Sequence, residues 1–275
     1  MNSVFLIISI ALIALVLVLL VRYAWGIFFD AGYRPVEWEN ARKEGRISVE
    51  LLKMERDYPD KVRFFNWWFQ IERLKRDGVP GDFAELGVYK GESARIIHRM
   101  DPSRKFHLFD TFEGFMEEDL KGETGEAATY TTRNFADTSL ELARRTIGGN
   151  ENVVFHPGRF PESVSRLPFA AQNHFKTAYD TQLTVNGDRL TASGQTAYAL
   201  VNLDADLYLP TKEALEYFYP CLSPGGVILI HDYNYKWPGI KKAADEFVAA
   251  LPENLVMVPD MEGTVMIVKS LVRGG

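Results

Sequence analysis

The sequence has one cysteine, Cys221, in 275 residues. A single thiol forms no internal disulfide, so no covalent staple holds the fold, and the chain suits a reducing compartment. Cys221 falls on the apolar face of a predicted helix, where it is expected as a small buried hydrophobe. No basic block stands out and the net charge is −6, which argues against a nucleic-acid partner. Internal repeats are missing, and low complexity is confined to the apolar amino-terminal stretch. The fingerprint G-x-G-x-x-G is absent as well, which disfavours a dinucleotide-dependent oxidoreductase.

Charge is also missing from residues 1–21, MNSVFLIISIALIALVLVLLV. A helix of about 20 apolar residues crosses the hydrocarbon core of a bilayer. The stretch lacks the charged n-region, short apolar core and small-residue cleavage site of a signal peptide. A buried core helix is rarely apolar on every face for this length. We therefore read residues 1–29 as a membrane anchor. Arg22, Arg34, Arg42, Lys43 and Arg46 follow it, so the positive-inside rule makes this a single-pass membrane protein with its bulk in the cytoplasm. Tyr23, Trp25, Phe28 and Phe29 are placed for an interfacial aromatic belt. Residues 30–78 read as a connector and helical cover. Within them Phe64, Trp67, Trp68, Ile71 and Leu74 share one helical face, suited to packing on a sheet.

What the sequence does contain is an α/β domain over residues 79–275. Its centre is Tyr198–Asn234. An apolar run, Ala199–Leu203, stops at Asp204. A helical pattern follows from Thr211 to Cys221, then the turn Ser223–Gly226, then a second apolar run, Val227–Ile230, that stops at His231 and Asp232. Two buried strands joined by a helix make a βαβ unit. Ligands bind outside the carboxyl ends of such strands, so Asp204, Asp206, His231 and Asp232 are expected to converge.

An earlier unit shows the same logic. Strand Asp82–Leu86 runs into the turn Gly87–Gly91 and the helix Glu92–Met100. Glycines there let a ligand approach the backbone, and a helix N-terminus favours negative groups. A second strand, Lys105–Phe109, ends at Asp110, 23 residues after Gly87. An acid at that place suits ribose hydroxyls. Residues 111–132 read as a loop, and a helix near 137–147 is expected with Asp137 as its cap. A third strand, Val153–His156, leads to Pro157-Gly158 and a short helix over 160–167. Residues 170–197 read as an inserted hairpin, because Asn186-Gly187 suits a type I′ turn. It is a lid, a contact surface, or a decorative loop without a role at the site. A helix over 240–251 and an antiparallel pair, Val256–Pro259 and Thr264–Lys269, close the chain.

From about Pro80 to Lys269 these blocks resemble the macrocin O-methyltransferase (TylF/MycF-type) family. The matching blocks are Gly81–Ser93, Phe109–Gly114, Pro157–Pro161 and Leu203–Tyr208, with Thr211, Tyr219-Pro220, Ser223–Gly226 and Asp232-Tyr233 in order. The resemblance implies a Rossmann-like class I methyltransferase with a doubly wound, mostly parallel seven-stranded sheet. It implies S-adenosylmethionine (SAM) as cofactor. Glu85, Leu86, Gly87, Gly91 and Ser93 would line its methionine end. Asp110, Thr111 and Phe112 would hold ribose and adenine, with Gly158 flanking the adenine. A divalent ion, magnesium or manganese, would be held by Asp204, His231 and Asp232. Asp206 belongs to the motif. The family carries an acid where this chain has His231, which shifts the donor set toward transition metals.

The expected reaction is O-methylation of a sugar or glycan-type hydroxyl. Asp204, Asp206 and His231 are the catalytic candidates, and His156 is a further candidate base. The anchor adds a membrane partner and points to a small-molecule or lipid-linked sugar acceptor; self-association is left open. Two alternatives stand beside this reading: a metal-independent methyltransferase, and a membrane-tethered non-catalytic protein on a degenerate methyltransferase fold.

Overall fold

A computed structural model describes residues 3–28, 34–164, 183–185, 188–190 and 196–270. The chain divides into two units, Met1–Lys61 and Val62–Gly275.

In the first unit the uncharged stretch forms helix α1, Ser3–Phe28. Its span Phe5–Tyr23 has mean hydropathy 3.0 and no buried residue. By length and composition this helix is able to cross a membrane. Helices α2, Val36–Lys43, and α3, Val49–Asp57, follow. Ser48 begins α3 by accepting from the Leu51 amide at 3.1 Å, which satisfies one of the first-turn donors. Arg34 Nη2 lies 2.9 Å from the buried Glu55 Oε2, so the carboxylate is paired rather than stranded.

In the second unit α4, Lys61–Arg76, places Phe64, Phe65, Trp67, Trp68, Ile71 and Leu74 in the interior. The strands and helices after it are β1 (Asp82–Leu86), α5 (Glu92–Met100), β2 (Phe106–Asp110), α6 (Leu140–Ile147), β3 (Val153–Pro157), β4 (Leu183–Val185), β5 (Asp188–Leu190), β6 (Tyr198–Leu203), α7 (Tyr208–Cys221), β7 (Leu222–Ile230), α8 (Pro238–Val248), β8 (Val256–Val258) and β9 (Thr264–Val268). β4 and β5 pair with each other as an antiparallel hairpin, and the rest form a seven-stranded sheet of order β3-β2-β1-β6-β7-β9-β8. All neighbours are parallel except β9, which is antiparallel to both β7 and β8.

This order positions the site. The chain lays down β1, β2 and β3 in one direction, then returns to place β6 on the other side of β1. The crevice where strand order reverses is where doubly wound sheets bind ligands. In register, Leu86 pairs with Leu203 and Leu203 with Ile230. The next residues, Gly87, Asp204 and His231, therefore leave the sheet at one level. Strand alternation sorts the side chains. Ile228 and Ile230 join Val201, Leu203, Leu215, Phe218 and Ile240 in the core beneath α7 and α8. Trp67 of α4 meets Asn202 on the opposite face, with its indole N–H 3.1 Å from Asn202 Oδ1.

Three local expectations change. Ser223–Gly226 is the entrance to β7, marked by an irregular register against β6. Ser139, not Asp137, caps α6, accepting from the Leu142 amide at 3.1 Å; Asp137 is engaged by the Tyr89 hydroxyl at 2.6 Å. The helix expected over 160–167 is a 3-10 turn, Glu162–Val164, and the residues after 164 in that segment lie outside the described ones. Cys221 is buried as expected, and burial pushes its thiol up to about 12.

Candidate active site

The turn after β1 requires a glycine. Gly87 has φ +87°, and a Cβ there would lie 1.9 Å from the Asp204 carbonyl oxygen. Backbone this close to the exit of β6 brings the turn and the acidic segment into one cleft. Asp110 fastens the turn: Oδ2 accepts from the Val88 and Tyr89 amides at 2.7 and 2.8 Å, and Oδ1 from the Phe112 amide at 2.6 Å. The 23-residue spacing from Gly87 thus reflects a direct tie between the two strand ends. A carboxylate has about four acceptor sites, so Asp110 keeps capacity for a ligand hydroxyl.

The cleft is lined by Leu86, Gly87, Asp110, Thr111, Gly158, Asp204 and Asp206. Tyr89, Phe115, Phe135 and Arg159 line it too. These four the sequence reading did not single out, because they lie on loops without periodicity. Phe115 and Phe135 carried a faint signal as aromatic residues in a polar loop. Glu85, Gly91, Ser93, Phe112 and Asp232 are not among the residues that line the cleft. Gly91 instead lets α6 approach, since a Cβ would meet Ile147 Cγ1 at 2.8 Å. Phe112 is buried, with its ring 6.2 Å from that of Phe155. Ser93 donates to Glu85 Oε1 at 2.6 Å.

Asp204, Asp206 and Asp232 converge, each offering a carboxylate oxygen within 4.8 Å of the others. Asp206 and Asp232 both have φ +59°, an uncommon conformation that places functional carboxylates where regular backbone would not. Burial, followed by the charge of Asp204, raises the pKa of both above the carboxylate range. Three crowded carboxylates are the oxygen-rich donor set of a hard divalent cation. The residues present fit such an ion.

His231 is not among them. It is buried, its Nε2 is 2.7 Å from Asn202 Oδ1, and its Nδ1 is 2.9 Å from Thr264 Oγ1. Its ring packs edge-on to Trp67 at 6.0 Å. The expectation that His231 ligates metal or acts as a base is therefore corrected. Alternation along β7 turns Ile230 toward α7 and His231 toward α4, and both ring nitrogens are used inside the sheet. Asp206 takes its place in the acidic set.

Asn202 extends this polar layer, donating to Glu85 Oε1 at 3.0 Å. Glu85 is fully buried, and burial raises its pKa to about 8. Its second oxygen, Oε2, has no hydrogen-bond partner among the described residues. An orphaned buried carboxylate oxygen beside the Gly87 turn suits a cationic ligand group. His156 lies elsewhere, stacked on Phe109 at 4.4 Å and hydrogen-bonded to His107 at 3.0 Å. Burial and His107 push it down to about 4.

A seven-stranded doubly wound sheet with one antiparallel strand next to the edge, and a glycine turn facing strand-end carboxylates, defines a class I methyltransferase. The solved O-methyltransferase NovP shares the fold, at 25% identity and TM-score 0.59 over 77% of this chain and 81% of that one. The chain belongs to the macrocin O-methyltransferase (TylF) family, whose model matches residues 60–173 and 184–264. It is a SAM-dependent O-methyltransferase. Mycinamicin III 3″-O-methyltransferase of Micromonospora griseorubida is 30% identical over 74% of this chain and 77% of its own length. A Streptomyces olivaceus enzyme, 8-demethyl-8-(2,3-dimethoxy-alpha-L-rhamnosyl)-tetracenomycin-C 4′-O-methyltransferase, is 27% identical over 73% and 74%.

Proposed function

We propose that this chain methylates a hydroxyl of a sugar or glycan-type acceptor at the cytoplasmic face of a membrane, with a divalent cation held by Asp204, Asp206 and Asp232. The convergence of those carboxylates, two of which, Asp204 and Asp206, line the cleft of the Gly87 turn, carries the reading. The relative named for methylating a rhamnosyl-bearing compound supports a sugar acceptor. The apolar helix α1 and the basic residues after it support the membrane and its cytoplasmic side. A lipid-linked sugar fits both.

A bound divalent cation would supply Lewis acidity, lowering the pKa of an acceptor hydroxyl and fixing its direction. The chain's own residues do the rest. Gly87 admits the cofactor against the backbone. Glu85 offers Oε2 to its cationic methionine end, and Asp110 and Thr111 face its ribose. Of the bases named from the sequence, Asp206 lines the cleft and accepts the hydroxyl proton. The acceptor oxygen then bonds to the methyl carbon as the carbon–sulfur bond breaks. The electron pair leaves with sulfur as S-adenosylhomocysteine, and alignment of the two reactants supplies much of the acceleration.

The test is transfer of isotopically labelled methyl from SAM to a panel of sugars and lipid-linked sugars by the full-length chain in detergent. Label transfer with magnesium or manganese, abolished by chelator, is expected. Transfer that survives chelator would favour a metal-independent enzyme. Failure of the folded chain to bind SAM would favour a tethered non-catalytic protein.

A further inference from the structure

Five half-exposed aromatic rings run in an unbroken ridge from the glycine turn to the start of α8. Tyr89 packs edge-on to Phe135 at 5.2 Å, and Phe135 to Phe115 at 5.3 Å. Phe115 stacks on Tyr130 at 5.4 Å, with the ring planes 21° apart. The Trp237 indole N–H donates to the Tyr130 hydroxyl at 3.1 Å. The first three rings line the cofactor cleft. Tyr130 lies within electrostatic reach of the acidic cluster: burial raises its pKa, and the charges of Asp206, Glu126 and Asp232 add to it.

Trp237 satisfies one lone pair of the Tyr130 oxygen and fixes its place. The hydroxyl's own proton has no acceptor among the described residues, so a donor stands ready near the acids. A half-exposed aromatic surface beside a converging set of polar groups is the make-up of a ligand site. A pyranose fits both features. One face of its ring is C–H and lies against aromatic faces, while its rim carries hydroxyls for donors and carboxylates.

We propose that Phe115, Tyr130 and Trp237 form the acceptor subsite, taking a pyranose with its C–H face on the Phe115–Tyr130 pair and one rim oxygen accepting from the Tyr130 hydroxyl. A neighbouring hydroxyl then falls toward Asp206 and Asp232. The inference rests on the sugar O-methylation reading and specifies its acceptor side.

The experiment is saturation-transfer NMR on the full-length chain in detergent, saturated with S-adenosylhomocysteine, with methyl α-L-rhamnopyranoside as probe and catechol as the planar alternative. S-adenosylhomocysteine affinity is measured in parallel by calorimetry. The rhamnoside should receive saturation at its ring C–H protons. Tyr130→Phe, which keeps the ring, should weaken it about fivefold, the share of one hydrogen bond. Tyr130→Ala should abolish binding. Both variants should hold S-adenosylhomocysteine within twofold of wild type, which a general loosening of the loop would not allow. A rhamnoside that does not bind, or binds all three proteins alike, overturns the subsite while the cofactor titration leaves the methyltransferase reading standing. Catechol binding in place of the rhamnoside overturns the sugar assignment. A wild-type chain that does not bind S-adenosylhomocysteine overturns the reading beneath it.

Discussion

His231 Nε2 lies 2.7 Å from Asn202 Oδ1, and this contact engages the imidazole within the sheet, outside the acidic cluster to which the very next residue, Asp232, belongs. The Trp67 indole N–H reaches the same oxygen at 3.1 Å, so that oxygen is an acceptor and His231 Nε2 carries a proton. His231→Ala would break the imidazole's hydrogen bonds with Asn202 and Thr264 and open a cavity beside Trp67. The expected cost is about 2–4 kcal/mol, seen as a lower unfolding midpoint. Affinity for manganese should stay within a few-fold of wild type. Complete loss of metal binding in a folded His231→Ala protein would return the histidine to the metal site.

Gly87 tests the close approach of two strand exits. A Cβ there would lie 1.9 Å from the Asp204 carbonyl oxygen, at φ +87°. Positive φ alone costs a non-glycine residue about 1–2 kcal/mol, and the clash adds to it. Gly87→Ala should lose about 3 kcal/mol or more of stability and most SAM affinity. An alanine variant that melts and binds like wild type would show that the turn has room to spare.

Glu85 sets a pH dependence. Burial raises its pKa from 4.5 to about 8. Between those values the folded chain keeps a proton that the unfolded chain has released. Stability of the ligand-free chain therefore falls as pH rises from about 4.5 through about 8, by on the order of a few kcal/mol. Glu85→Gln, which cannot ionise, should reduce that slope, leaving the part contributed by Asp206 and Asp232, whose pKa values burial also raises. Denaturant midpoints at pH 5 and pH 8.5 read the difference. Parallel slopes in the two proteins would contradict the assignment.

Arg159 holds the loop after β2 in place. It lies 2.8 Å from Glu118, 2.7 Å from Asp119 and 2.9 Å from each of Glu162 and Glu213. Asp119 is buried, and removing its cation strands a charge. Arg159→Met should lower stability by about 2–4 kcal/mol, raise the KM for SAM and speed proteolysis within residues 111–132. Arg159→Lys should not rescue it, because an ammonium cannot span several carboxylates in a fixed fork. Unchanged proteolysis would show that the loop is held by its other contacts.

The strands were legible along the chain because each apolar run is short and ends at a chemically distinct residue, as Leu86 does at Gly87 and Leu203 at Asp204, whereas their order in the sheet came only with the fold. The closing antiparallel pair was legible from two short strands around a tight turn. The direction of His231 was misread, because family position outweighed alternation. Ile228 and Ile230 mark one face of β7, and counting one further puts His231 on the other. Asp206 was read as converging with Asp204 and Asp232, as it does, although the positive φ of +59° that sets its carboxylate there is announced by no periodicity. The aromatic ridge escaped notice because Phe115, Tyr130 and Phe135 are scattered in a polar loop, and only the fold brings them beside Trp237. The hairpin was legible from Asn186-Gly187, whose flanking strands β4 and β5 pair antiparallel.

The central claim is that Asp204, Asp206 and Asp232 together hold a divalent cation at the methyl-transfer site. Manganese titration followed by electron paramagnetic resonance tests it without an acceptor, because the sharp signal of free manganese is lost on binding. The full-length chain in detergent should remove one equivalent of that signal, and excess magnesium should restore it. A folded Asp206→Asn protein should weaken binding at least tenfold, the loss of one of three anionic ligands. Wild-type protein that leaves the free-manganese signal untouched, or Asp206→Asn protein that binds as tightly as wild type, would contradict the account.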